Sequence, residues 1–169
     1  MKTTTFDMDA PVDERRIIVR HGDEGVEMVV ELPWGLRPKE PGERPFRLVR
    51  AEGRTFPSHR CLVPASEFRL THRGRRLAFS LADGDWFYFA GIWRPASHDW
   101  PEAYVVVTIE ASGDVAPYYD RQVAVLRRRQ RMDWLDLSRP ERELLQPLSI
   151  GAFRIELPIA RQTQATLAF

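Results

Sequence analysis

The apolar residues of this chain come in short runs cut by turn residues, and that rhythm constrains the fold more than any other feature. Residues 16–20, 26–32, 61–64, 68–72, 77–81, 86–93, 104–109 and 153–157 read as strands, rich in Val, Ile, Phe, Tyr and Trp. His21-Gly22-Asp23-Glu24-Gly25 joins the first two runs as a hairpin loop. Arg73-Gly74-Arg75 and Ala82-Asp83-Gly84-Asp85 supply further turns. From Leu32 to Pro45 prolines and glycines interrupt regular structure, in a stretch too short to link two domains. Residues 115–119 read as a short turn or helical piece leading into 123–127, and 132–137 as one or two helical turns. Ser138 is the expected N-cap of a helix over 139–145, with Pro140 and Glu141 in its first turn. Long amphipathic helices between the strands are missing, which argues against a parallel βαβ sheet. The expected fold is mostly β (α+β): an antiparallel β-barrel with a few short helices.

A length of 169 residues fits one domain spanning 1–169, and 43% apolar residues suffice for a core. No run of 18 apolar residues exists, so no membrane partner is expected. MKTTTFDMDA has no apolar segment of the secretory kind. The single cysteine, Cys61, excludes an intramolecular disulfide framework and a Cys-based zinc cluster. The expected compartment is the cytoplasm.

The net charge of +1 hides two skews. All the basic residues except Lys2 and Lys39 are Arg, which a GC-rich genome would also produce. Residues 44–76 carry +7 and residues 121–131 carry +5, so the rest of the chain carries −11. If the two basic segments meet, they form a positive face for an anionic partner, most often nucleic acid. Arg scattered over solvated strand faces is the plainer alternative.

Few residues suggest chemistry. His21, His59, His72 and His98 lie far apart. Only His59 and Cys61 are close, without a second pair, so no metal or cofactor is expected. Cys61 sits before Leu62 and Val63 and reads as a buried, inert thiol rather than a nucleophile. Neither a P-loop nor a dinucleotide fingerprint is present. Asp83, Asp85, Asp133 and Asp136 read as turn and helix-surface residues. Trp34, between Pro33 and Gly35, has two readings: a loop aromatic that stacks on an unpaired base, or a plug at one end of the barrel.

Several blocks together resemble a known family. They are Pro33-Trp34-Gly35-Leu36-Arg37-Pro38, Arg50-Ala51-Glu52, Arg60-Cys61-Leu62-Val63-Pro64-Ala65-Ser66 with Phe68, and Phe89-Ala90-Gly91-Ile92-Trp93. Thr108 to Ser112, Ala116 to Arg121, Trp134-Leu135 and residues 153–156 continue the series. In order and spacing these resemble the SRAP domain, the SOS response-associated peptidase family, from Phe6 to Leu157. The resemblance implies cross-linking to abasic sites in single-stranded DNA: an N-terminal cysteine condenses with the sugar aldehyde to a thiazolidine, assisted by an Asn, a Glu and a His.

At those four positions this chain has Lys2, Leu48, Leu70 and Tyr119. Two leucines can neither transfer a proton nor hydrogen-bond an aldehyde. The resemblance therefore implies a pseudoenzyme: no catalytic residue, but a retained DNA-binding set of Trp34, Arg50, Arg60 and Arg121, expected to converge on one face. The expected partner is single-stranded or abasic-site DNA in a DNA-damage (SOS-type) response. Two rival readings remain. The Met1 α-amine or the Lys2 ε-amine forms a reversible imine at an abasic aldehyde, or the cleft, filled by Leu48, Leu70 and Tyr119, serves protein interaction.

Overall fold

The computed structural model describes residues 4–22, 24–111 and 113–157. Its strands are β1 (Thr5–Asp7), β2 (Arg15–His21), β3 (Glu27–Pro33), β4 (Leu48–Arg50), β5 (Arg60–Ala65), β6 (Glu67–His72), β7 (Arg75–Leu81), β8 (Phe87–Arg94), β9 (Ala103–Glu110), β10 (Arg121–Val123), β11 (Val125–Arg127) and β12 (Phe153–Glu156). Two short helices, α1 (Arg131–Leu135) and α2 (Glu141–Leu144), follow β11.

The mostly β class matches the sequence reading, but the strands do not close into a barrel. They form a four-stranded sheet in the order β1-β6-β7-β12 and a larger sheet in the order β10-β9-β8-β5-β2-β3, with β4 on β9 and β11 on β8. Nor is the pairing purely antiparallel. The three-residue strands β1 and β4 join β6 and β9 in parallel.

The larger sheet is covered on both faces, which explains why β9 reads as a continuous apolar run rather than an alternating one. Ala103 to Ile109 are all buried. Tyr104 and Val106 face the core between the sheets, while Val105 and Val107 face a second core beneath α1 and α2. Aromatic rings fill the first core. Phe68 stacks on Phe79 with centroids 4.8 Å apart, and Phe87, Phe89 and Phe153 meet Phe68 edge-on. In the second core, Trp134 of α1 donates from its Nε1–H to the Cys61 carbonyl at 3.0 Å.

Two glycines are fixed by sterics. Gly91, mid-β8, would bring a Cβ to 2.8 Å from the Cys61 Sγ. Gly35, at φ 123°, would bring one to 3.0 Å from the Val12 side chain. Residues 121–127 form two strands separated at Ala124, where the chain passes from pairing with β9 to pairing with β8. Ser138 does not cap the last helix. Pro140 occupies the N-cap, and the Ser138 hydroxyl turns back to the Asp133 carbonyl at 3.3 Å.

Candidate functional site

The DNA-binding residues expected from sequence do not form one set. Arg50 and Arg121 come together on the two flanks of β9. Arg50 is opposite Thr108 across β4–β9, and the Arg121 Nη2–H donates to the Thr108 carbonyl at 2.8 Å. Arg121 also donates from both terminal nitrogens to Glu52, two residues beyond Arg50. Arg50 itself is exposed and has no carboxylate partner among the described residues.

Trp34 corrects the expectation of an exposed loop aromatic. It is 1% exposed, and its ring meets Phe6 edge-on at 5.0 Å. Its Nε1–H donates to the Arg47 carbonyl at 2.8 Å, and the Arg47 guanidinium lies 5.1 Å from the ring centroid. It is a core residue, though not a barrel plug since no barrel closes, and no face is free to stack on a base. Arg60 is also turned inward. It donates to the carbonyls of Phe56, Trp134 and Arg139 and to the Glu141 carboxylate, with its guanidinium 4.3 Å from the Trp134 ring centroid. This arginine ties β5 to the helices rather than joining Arg50 and Arg121.

The positions that resemble catalytic ones are dispersed in burial. Leu48 is exposed on β4, while Leu70 is buried among core residues on β6. The Tyr119 hydroxyl donates to the Thr71 carbonyl at 3.1 Å. Lys2 lies outside the described residues. Cys61 is fully buried, and burial pushes its thiol well above the ordinary range. Among the described residues no three His, Cys, Asp or Glu side chains gather as a metal site, and no helix is long and apolar enough to cross a membrane.

Much of the basic excess is neutralised locally. Arg69 pairs with Glu67, Arg76 with Asp7 and Asp9, Arg127 with Asp83, and Arg128 with Asp85. Part of the remaining positive charge lies around a groove of about 790 Å³ beside β4. Arg37, Lys39, Arg50, Arg54 and Arg94 line it. Only Arg37 has a carboxylate partner among the described residues, Asp99 at 2.8 Å. Leu36, Phe46, Leu48, Ile92 and Trp100 provide apolar surface, and no carboxylate, amide or imidazole lines the groove.

Local pairing builds this site. Leu36 and Phe46 exchange backbone hydrogen bonds at 2.8 and 2.9 Å, closing the proline-rich loop back on itself. Ser97 and Trp100 pair in the same way, and the Trp100 Nε1–H donates to the Gly35 carbonyl at 3.2 Å. Sequence reasoning missed Phe46, Arg94 and Trp100. The proline-flanked loops that carry them were the available signal, but their approach depends on long-range pairing.

The family model for SOS response associated peptidase (SRAP) matches residues 6–157. The chain belongs to the SRAP family. Its fold is similar to two solved proteins from Bordetella bronchiseptica. One has a TM-score of 0.67 at 20% identity and covers 92% of each chain. The other, described as phage-related, has a TM-score of 0.70 at 20% identity and covers 88% of this chain and 80% of its own. A protein from Bacteroides thetaiotaomicron has a TM-score of 0.66 at 20% identity over 90% of this chain and 77% of its own. No curated protein matches the chain. The SRAP name associates the family with the SOS response, and this chain carries its fold with Leu48, Leu70 and Tyr119 at the positions discussed above.

Proposed function

We propose that this SRAP-family protein binds single-stranded DNA in the groove beside β4 and performs no cross-linking or peptidase chemistry. The supporting observation is the groove itself: four arginines and a lysine beside Phe46 and Trp100, with no acidic side chain in its walls. Cations hold phosphates, and aromatic faces hold unpaired bases. In this reading Arg50 is the phosphate contact that the resemblance implies, supported by its exposed place in the groove. Arg121 acts behind it, and Trp34 and Arg60 support the fold. No carboxylate or imidazole, the commonest proton-transfer groups, lines the groove, and Lys39 is its one amine. The setting is a DNA-damage response in the cytoplasm.

Fluorescence anisotropy with labelled single-stranded and duplex oligonucleotides tests this reading. Single strands should bind more tightly, and raising salt should weaken binding. A protein indifferent to both DNAs would favour the interaction-module reading instead. Incubation with abasic single-stranded DNA should leave no heat-stable adduct on a denaturing gel. An adduct seen only after borohydride would support the imine reading.

A further inference from the structure

The groove's apolar lining bears on which nucleotide it selects, a question that rests on the single-strand binding proposed above. We infer that the site beside β4 prefers an intact unpaired base to an abasic sugar. An abasic nucleotide presents a hydroxyl or an aldehyde, whose recognition calls for a polar partner aligned with it. Leu48, 41% exposed, supplies none where the resemblance implies an Asn. Besides Trp100, the neutral polar side chains of the lining are Thr55 and Ser97. Phe46, 37% exposed, sets an aromatic side chain two residues before Leu48.

Trp100 forms another wall, held by its hydrogen bond to Gly35. A base has two flat apolar faces and would cover this surface on binding. An abasic sugar would leave it wet. Arg50, Arg54 and Arg94 at the rim can reach the phosphates on either side in both cases, so they confer affinity without choosing between the two. The volume lies within the roughly 300–1,000 Å³ usual for small-molecule clefts, enough to seat a base without wrapping a duplex.

The test uses short single strands built from tetrahydrofuran abasic analogues, with or without one central thymidine. Tetrahydrofuran has no aldehyde, so amine chemistry cannot contribute. The strand with thymidine should bind about five- to 150-fold more tightly, the value of one stacked base. Phe46→Ala should bring that ratio towards one, and circular dichroism would confirm that the variant folds. Equal affinities, or tighter binding of the all-abasic strand, would overturn the base preference and leave single-strand binding intact. If ordinary single-stranded DNA also failed to bind, the functional reading itself would fall.

Discussion

Glu52 and Arg121, 69 residues apart in the chain, join through two hydrogen bonds, Nη1–H to Oε1 at 2.9 Å and Nη2–H to Oε2 at 2.8 Å. Glu52 Oε1 also accepts the Glu110 N–H at 2.9 Å, and Arg121 donates to the Thr108 carbonyl and hydroxyl. The segment after β4 is thereby clipped to β9 and β10, and Arg50 is held within two residues of the clip.

That clip sets a pH dependence. The hydrogen bonds from Arg121, opposed by burial and assisted by the Glu110 N–H, hold the Glu52 carboxyl at about 2 instead of the ordinary 4.5. A lowered folded-state pKa contributes stability that is complete above about 4.5 and lost as pH falls towards about 2. Glu52 is half exposed, so solvent screening limits the pair to under about 1 kcal/mol. In denaturant unfolding, Glu52→Gln should lower stability by under about 1 kcal/mol at neutral pH, flatten the curve across that interval and change it little near pH 2. An unchanged acid slope would show that the pair contributes nothing.

Arg60 and Glu141 form the buried counterpart. Burial favours the neutral Glu141 carboxyl, yet the Phe56 N–H and Arg60 outweigh it and hold the group below the usual carboxylate range. Arg60→Ala removes the buried guanidinium that bonds three carbonyls and leaves the partly exposed Glu141 carboxylate without its cation, and should cost about 1–3 kcal/mol of unfolding free energy. The pair Arg60→Met with Glu141→Leu should recover part of the loss, because no carboxylate is then left without its cation. A loss no greater for Arg60→Ala than for the double variant would contradict this account.

Close packing of Gly91 against Cys61 gives a further expectation. Gly91→Ala forces a Cβ within 2.8 Å of the sulfur and 3.1 Å of the Val105 carbonyl, and should destabilise the protein by about 1–3 kcal/mol. In the unaltered protein Cys61 should remain unreactive towards a thiol reagent until the fold opens. Rapid labelling under native conditions would show the buried-thiol account to be wrong.

The strand pattern was legible because apolar runs bounded by turn residues need only local spacing, and β5 to β9 lie close to where that spacing puts them. The three-residue strands β1 and β4 were not, since they have no period of their own and are defined by their partners β6 and β9. Closure into a barrel also depends on pairing between distant edges, about which a run of Val and Ile says nothing. At the site, Arg50 was singled out by the resemblance, while charge counting overvalued the basic segments. Asp83 and Asp85 are remote in sequence from Arg127 and Arg128 and neutralise them in space. Trp34 misled for a similar reason. Pro33 and Gly35 signal a loop, but a loop packed under Arg47 is not a surface.

The last expectation separates Trp34 from the groove it was taken to serve. Trp34→Ala empties space beside Phe6 and removes the donor to the Arg47 carbonyl, so it should cost about 3–5 kcal/mol in denaturant unfolding. Arg50→Ala, an exposed change, should leave stability within about 0.5 kcal/mol. The order reverses for DNA. Arg50→Ala should weaken binding to all single-stranded sequences alike and make the log–log salt dependence shallower by about 0.7, the value of one phosphate contact. Trp34→Ala, measured where it remains folded, should keep the salt slope of the parent protein. A folded Trp34→Ala that lost binding with undiminished stability would return the tryptophan to the interface, and Arg47, which lies between its ring and β4, would be the next residue to vary.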